Sequence, residues 1–124
     1  MKIRIYYEDT DAGGIVYHTN FIKYCERARS EMVFSKNLTP FTPNRHFVVS
    51  NINAKYLKPA FLGDMLEVKS KVLKLGKASV ELLQSIFRGD ELLFEATIKI
   101  AFLVDKKPAP LDSELVEFFK NYDN

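Results

Sequence analysis

Between Tyr6 and Phe21 the chain reads YYEDTDAGGIVYHTNF, which crowds three carboxylates, a Gly-Gly pair, a histidine and an asparagine into one short stretch. Three chemistries suit such a stretch. Asp9, Asp11 and His18 are oxygen and nitrogen donors of the kind that hold a divalent cation. Backbone N–H groups behind Gly13 and Gly14, at the positive end of a helix, suit a phosphate. The same N–H groups could instead polarise a carbonyl that Asp11 attacks, or toward which Asp11 activates water. Against the metal stand the divergent directions of neighbouring turn residues and the lack of a further Cys, His or Glu cluster at a recognisable spacing. Against the phosphate stand the absence of G-x-x-x-x-G-K-[ST] and G-x-G-x-x-G, and the repulsion Asp11 would exert. The carbonyl suits the pairing of carboxylate and N–H groups better than either.

Each of these residues also has an ordinary role. An Asp before a helix is commonly a cap or turn former, and that is the expectation for Asp9. Cys25 falls on an apolar helix face, where a thiol usually fills core. His46 carries no signal. Lys55, Lys58, Lys69, Lys71 and Lys74 alternate with apolar residues, as on a solvated sheet face. Tyr6, Tyr7, Tyr17 and Tyr24 read as core or interface aromatics, with Tyr7 and Tyr17 flanking the loop.

The elements that must position the loop follow from periodicity. KIRIYYE alternates and predicts a first strand. Phe21, Tyr24, Cys25, Ala28 and Met32 recur at helical spacing, with Lys23, Glu26, Arg27, Ser30 and Glu31 opposite. Glu26–Arg29 and Arg27–Glu31 add weak ionic support. The helix is expected to fade near Lys36–Asn37, before a proline-punctuated loop, LTPFTPNR. HFVVSNINAKYL, MLEVKSKVLKL, ASVELLQSIFR and ELLFEATIKIAFLV then read as four long strands, with a tight turn at Arg88-Gly89-Asp90. Along the last, Ala96, Ile98, Ile100, Phe102 and Val104 share a face. DKKPAP breaks the sheet, and DSELVEFFKNY predicts a short helix capped by Asp112 or Ser113. Short connections make the strands antiparallel, and the order strand, helix, four strands predicts an α+β fold. One helix cannot cover both faces of so wide a sheet, so a partner subunit is expected.

Bulk properties narrow the field. The 124 residues make one domain, 1–124, with room for a core but not for a second domain. A net charge of +2, from 18 basic and 16 acidic residues, argues against nucleic acid. No apolar run reaches the roughly 18 residues of a membrane span, and MKIRIYYEDTD lacks the apolar segment of a signal peptide. A single cysteine excludes an intramolecular disulfide and points to a reducing cytoplasm.

The stretch YYEDTDAGGIVYHTNFIKYCERARSE closely resembles the opening signature of the YbgC-type acyl-CoA thioesterases, in the 4-hydroxybenzoyl-CoA thioesterase branch of the hotdog fold. Asp9, Asp11, Gly14, Ile15, Val16, Tyr17, His18, Asn20 and Phe21 fit its pattern in order, followed by a helix bearing E-R-A-R. AKYLKPAFLGDMLEV resembles a second landmark, Y-x-x-P-A-x-x-G-D, at Tyr56, Pro59, Ala60, Gly63 and Asp64. The likeness covers about residues 1 to 105. It implies a hotdog, an antiparallel sheet of about five strands wrapped around one central helix, with sheets paired edge to edge in a homodimer or homotetramer. It implies hydrolysis of an acyl-coenzyme A with Asp11 as catalytic carboxylate, the His18 backbone N–H binding the carbonyl, and the His18 imidazole and Tyr7 facing the site. Gly14, Val16, Tyr17 and Asn20 would contact substrate, and Lys58 and Arg88 the coenzyme A phosphates. No metal and no bound cofactor are implied. Acyl carrier protein is a second thioester source, since the phosphopantetheine arm is shared, and a non-catalytic acyl-binding scaffold is the rival class.

Overall fold

The computed structural model describes residues 1–39 and 41–122. Pro40 of the expected loop, and residues 123 and 124, lie outside them. The elements are β1 (Lys2–Arg4), a 3-10 turn (Tyr7–Asp9), α1 (His18–Phe34), β2 (Arg45–Tyr56), β3 (Met65–Leu75), β4 (Ser79–Arg88), β5 (Glu91–Val104), β6 (Lys107–Pro108) and α2 (Ser113–Lys120). Every pairing is antiparallel, and the strand order is β1-β3-β4-β5-β2 with β6 beside the end of β5.

Alternation builds the core. Val80, Leu82, Gln84 and Ile86 of β4 and Ala96, Ile98, Ile100 and Phe102 of β5 point to one side and are buried. The α1 stripe of Phe21, Tyr24, Cys25, Ala28, Met32 and Val33 is buried against them. Phe21 stacks on Phe94 with ring centroids 5.3 Å apart, near the start of the helix. Register shifts at Val49/Asn51, Val72/Lys74 and Ile86/Phe87 are bulges, which bend and twist strands and so curl the sheet about α1.

Among the described residues, one polar side chain interrupts this apolar interior. Gln84 is fully buried, yet it is satisfied. Its Nε2 donates to the Cys25 carbonyl and to Ser70 Oγ, both at 3.0 Å. Its Oε1 accepts from Arg29 Nη1 at 2.8 Å. A buried amide left unpaired is costly, whereas one bonded at both ends fixes the rotation of α1 over the sheet.

Five details depart from the expectations. The first strand stops at Arg4, because Asp9 Oδ2 takes the Tyr6 N–H at 2.8 Å and turns residues 7–9 into a 3-10 helix. The α1 helix ends at Phe34; Asn37 adopts φ +58°, and the Leu38 N–H returns to the Val33 carbonyl. DKKPAP contains β6, a two-residue extension. Asp112 is the N-cap of α2, but its carboxylate pairs with Arg45 and makes no cap hydrogen bond. Arg29 turns inward to Gln84, not outward to Glu26.

Gln84→Leu keeps the volume but leaves Ser70 Oγ and one Arg29 N–H without their partner. It should lower stability by about 3 kcal/mol, since each orphaned buried group costs about 1–3 kcal/mol. A urea titration of the two proteins measures this, and an unchanged midpoint would contradict the role assigned to Gln84.

Candidate active site

The loop between β1 and α1 is held from within and from outside. Inside it, the Asp11 N–H donates to the Ile15 carbonyl at 2.9 Å and the Gly14 N–H to the Asp11 carbonyl at 3.0 Å, closing a tight turn. Gly14 sits at φ +81°, a left-handed conformation that suits glycine. From outside, Ile15 bridges to Phe61, and the Val16 N–H donates to the Ala60 carbonyl at 2.9 Å. The 60–64 segment is tied in turn to β1, through Ile5 N–H to the Asp64 carbonyl and Gly63 N–H to the Ile5 carbonyl.

The two aspartates face different duties. Asp9 Oδ1 accepts from the Tyr24 hydroxyl at 2.8 Å, and Oδ2 accepts from Tyr6. Its carbonyl accepts from Asn20 Nδ2 at 2.9 Å and from the Tyr17 N–H at 3.1 Å. Burial, then the hydrogen bond and charge of Asp9, push the Tyr24 hydroxyl pKa well above its ordinary value, so it stays a proton donor. Asp11 is exposed, and only Oδ1 is engaged, by the Gly13 N–H at 2.8 Å. A Cβ on residue 13 would stand 3.2 Å from that oxygen, so glycine there leaves the carboxylate room. The two carboxylates therefore serve different partners.

His18 opens α1. The first N–H groups of a helix have no partner within it, and among the described residues no acceptor engages the His18 N–H. Its carbonyl accepts from the Tyr56 hydroxyl at 3.0 Å, and its ring stands between Tyr17 (centroids 4.6 Å apart) and Tyr56 (6.1 Å). Loop and helix start thus combine an exposed carboxylate, a free donor at the positive end of a helix, and an exposed imidazole. That set can polarise a carbonyl and deliver a base or nucleophile to it.

The other sequence-selected residues divide. Gly14 and Tyr17 lie on the loop, and Tyr7 is 81% exposed on the 3-10 turn beside it. The Val16 side chain is in the core, and Asn20 uses an amide N–H to tie α1 to the loop. Lys58 and Arg88 belong to a paired cluster. Lys58 Nζ meets Glu91 at 2.8 Å, while Arg88 meets Asp64 at 2.7 Å, Glu91 at 2.6 Å and the Pro59 carbonyl at 3.3 Å. Lys58 and Arg88 hold the Glu91 pKa below its usual range. The cluster borders the loop through Phe61, whose ring lies under the Arg88 guanidinium. Cys25 is buried, its thiol pushed up to about 12 mainly by burial, which makes it a poor nucleophile.

Sequence reading missed Tyr56 as a clamp on His18 and Tyr24 as the partner of Asp9. Tyr24 occupies a position that reads as apolar packing, and Tyr56 stands out only as a landmark of the family resemblance, without a role.

Comparison with known proteins is concordant. The model of the thioesterase superfamily matches residues 13–95. The chain is 47% identical over 87 residues to the acyl-CoA thioesterase YbgC of Helicobacter pylori, a match spanning 70% of the chain but only 65% of that relative's length. It is 35% identical to the acyl-CoA thioester hydrolase YbgC of Escherichia coli O6:H1, over 95% of the chain and 92% of that protein. The crystal structure of a hypothetical protein from Aquifex aeolicus superposes with a TM-score of 0.91 at 27% identity, covering 96% of this chain and 97% of the other. These likenesses carry the hotdog architecture expected from the sequence.

The division between the aspartates is testable without knowing a substrate. Tyr24→Phe removes one donor from Asp9 and should lower stability by about 1 kcal/mol. Asp9→Asn disturbs more bonds and should cost about 1–3 kcal/mol. Thermal melts give the order; an Asp9→Asn protein as stable as the parent would exclude Asp9 as the tie.

Proposed function

Because the chain belongs to the thioesterase superfamily, we propose that it hydrolyses the thioester of an acyl-coenzyme A to free acid and coenzyme A. The observation that carries this reading is the exposed Asp11 carboxylate on a loop that leads into the free N–H of His18. The thioester carbonyl oxygen would accept from that N–H, which strengthens as the oxygen gains charge. Asp11 then acts in one of two ways. As general base it takes a proton from water, whose oxygen bonds to the carbonyl carbon before the C–S bond breaks. As nucleophile it bonds to that carbon itself and expels the thiolate, leaving a mixed anhydride that water opens. A thiolate leaves readily, so neither route calls for a metal ion or bound cofactor. The His18 imidazole and Tyr7 would face the reacting group, and Gly14 and Tyr17 would line its approach. Val16 and Asn20 would act by holding the loop. Lys58, 55% exposed in its side chain, and Arg88, whose guanidinium lies over Phe61 beside the loop, are the cations that could meet coenzyme A phosphates. Each would then have to share its present carboxylates. Acyl carrier protein is the alternative thiol carrier, and the cytoplasm the compartment.

The assembly we propose is a homodimer at least. β2 is an edge strand of 12 residues, and Val49 and Ile52 along it are 46% and 36% exposed. A long apolar edge with unpaired backbone groups is a template for another strand. Pairing β2 with its copy would supply one and extend the sheet, with tetramers built from such pairs. Light scattering at micromolar concentration should therefore exceed the 14.3 kDa of one chain, and a monomer alone would refute the pairing.

The catalytic test separates side chain from backbone. With a panel of acyl-CoA thioesters and thiol detection, Asp11→Asn should lose at least ~10² to 10⁴ in rate with an unchanged melting curve. His18→Ala keeps its N–H, a contact worth roughly 10² to 10³, and should be impaired yet measurable. An active Asp11→Asn enzyme would overturn the assignment. So would a His18→Ala variant as inactive as Asp11→Asn. Turnover of acyl carrier thioesters alone would favour the other carrier.

A further inference from the structure

A concavity lies away from the loop that carries Asp11. It measures about 350 Å³ and sits between the C-terminal half of α1, the start of β2 and the end of α2. Its nearest α1 residue, Glu26, is about two turns along the helix from His18. Val33, Phe47, Leu82, Ile100 and Phe119 supply apolar walls, and exposed Phe34 and Phe41 stand at its rim. The volume is at the small end for a ligand pocket, matching a medium-length chain or an aryl-alkyl group.

Into these apolar walls projects one strong cation. Arg29 lines the cavity with its Nη1 committed to Gln84, which is itself locked to Cys25 and Ser70. That anchor fixes the guanidinium, and among the described residues no acceptor engages its other N–H donors. Among the described residues no carboxylate lies within ion-pair distance of Arg29. Burial pushes its pKa down, partly opposed by Cys25 and Glu26. The other titratable groups on the lining are Glu26 and His46. A preoriented guanidinium fork with no carboxylate at ion-pair distance, set in a largely apolar pocket, is the complement of a planar monoanion on an apolar body. A dianion such as phosphate fits worse, because Glu26 shares the lining and the walls offer no second arginine or lysine.

We propose that this cavity binds a free apolar carboxylic acid, its chain or ring against the walls and its carboxylate on Arg29. Such an acid is also the class of product that thioester hydrolysis releases, so the site would sense product. The binding itself stands independently of the hydrolytic reading, because it uses no residue of the catalytic loop.

Calorimetric titration of the intact protein with sodium decanoate, and with 1-decanol as the uncharged match, tests it. Decanoate should bind saturably below about 1 mM and at least ten times more tightly than decanol. Asp11→Asn should bind decanoate as the parent does, which separates this site from the catalytic one. Arg29→Gln should weaken decanoate at least tenfold without affecting decanol, and Arg29→Lys should restore part of the loss. Ser30→Trp, a half-buried lining position on α1, should block both ligands. Melting curves accompany each variant, and should Arg29→Gln fail to fold, the decanoate–decanol ratio on the parent still decides. Equal affinity for acid and alcohol, no saturable binding, or loss of binding in Asp11→Asn would each overturn the proposal. In the second case the cavity would belong to another occupant, such as a second copy of the chain.

Discussion

One donor from the loop and three from α1 or its cap converge on Asp9. Tyr6 and Tyr24 bond its carboxylate, and Tyr17 and Asn20 its carbonyl. This convergence turns a strand into a 3-10 helix at Tyr7, docks the loop on the first turns of α1, and leaves Asp11 two residues further on free to face outward. Buried or half-buried hydrogen bonds to a charged acceptor are among the stronger ones in a protein. An exposed carboxylate can thus sit on a loop without the loop being loose. The bonded and the exposed carboxylate are near neighbours in sequence with opposite surroundings.

The helix that receives the loop is itself indexed to the sheet by Gln84. An apolar face alone would tolerate small rotations of α1, since hydrophobic contact is non-directional. Bonds from one buried amide to Cys25 and Ser70, and from Arg29 to the same amide, remove that freedom. The N–H of His18 and the guanidinium of Arg29 are therefore placed by one device, although they open onto different parts of the surface.

Much of this was legible in the residues. Strict alternation located β3 and β5 to the residue, and helical spacing found the buried face of α1, because both periodicities follow directly from backbone geometry. The strip from Asp9 to Phe21 suggested carbonyl chemistry through its carboxylates, glycines and coming helix, and family likeness sharpened it. Less visible were the bonds made by side chains across the fold. Tyr24 looks like a packing residue until its hydroxyl meets Asp9, and the motif that marks Tyr56 does not say that its hydroxyl meets His18. Arg29 looked like a surface partner of Glu26, and a buried glutamine opposite it could not be read from spacing. Asp112 was a sound cap by type, but tertiary structure offered its carboxylate Arg45 instead. Nor does periodicity reveal that β2 crosses to the far edge beside β5, since strand order is set by long-range pairing.

That crossing gives assembly of the chain an order. The β3–β4–β5 meander closes through short turns and needs little chain entropy to form. β2 must instead find β5 across the whole length of that meander, from Tyr56 opposite Phe94 to Arg45 opposite Val104. Contacts so distant in sequence follow the local ones, because loop closure must be met before they contribute. Since Tyr56 at the end of β2 is also the clamp on His18, the start of α1 is fully braced only when that strand arrives. A chain caught before that moment would carry a nearly finished core and no formed site.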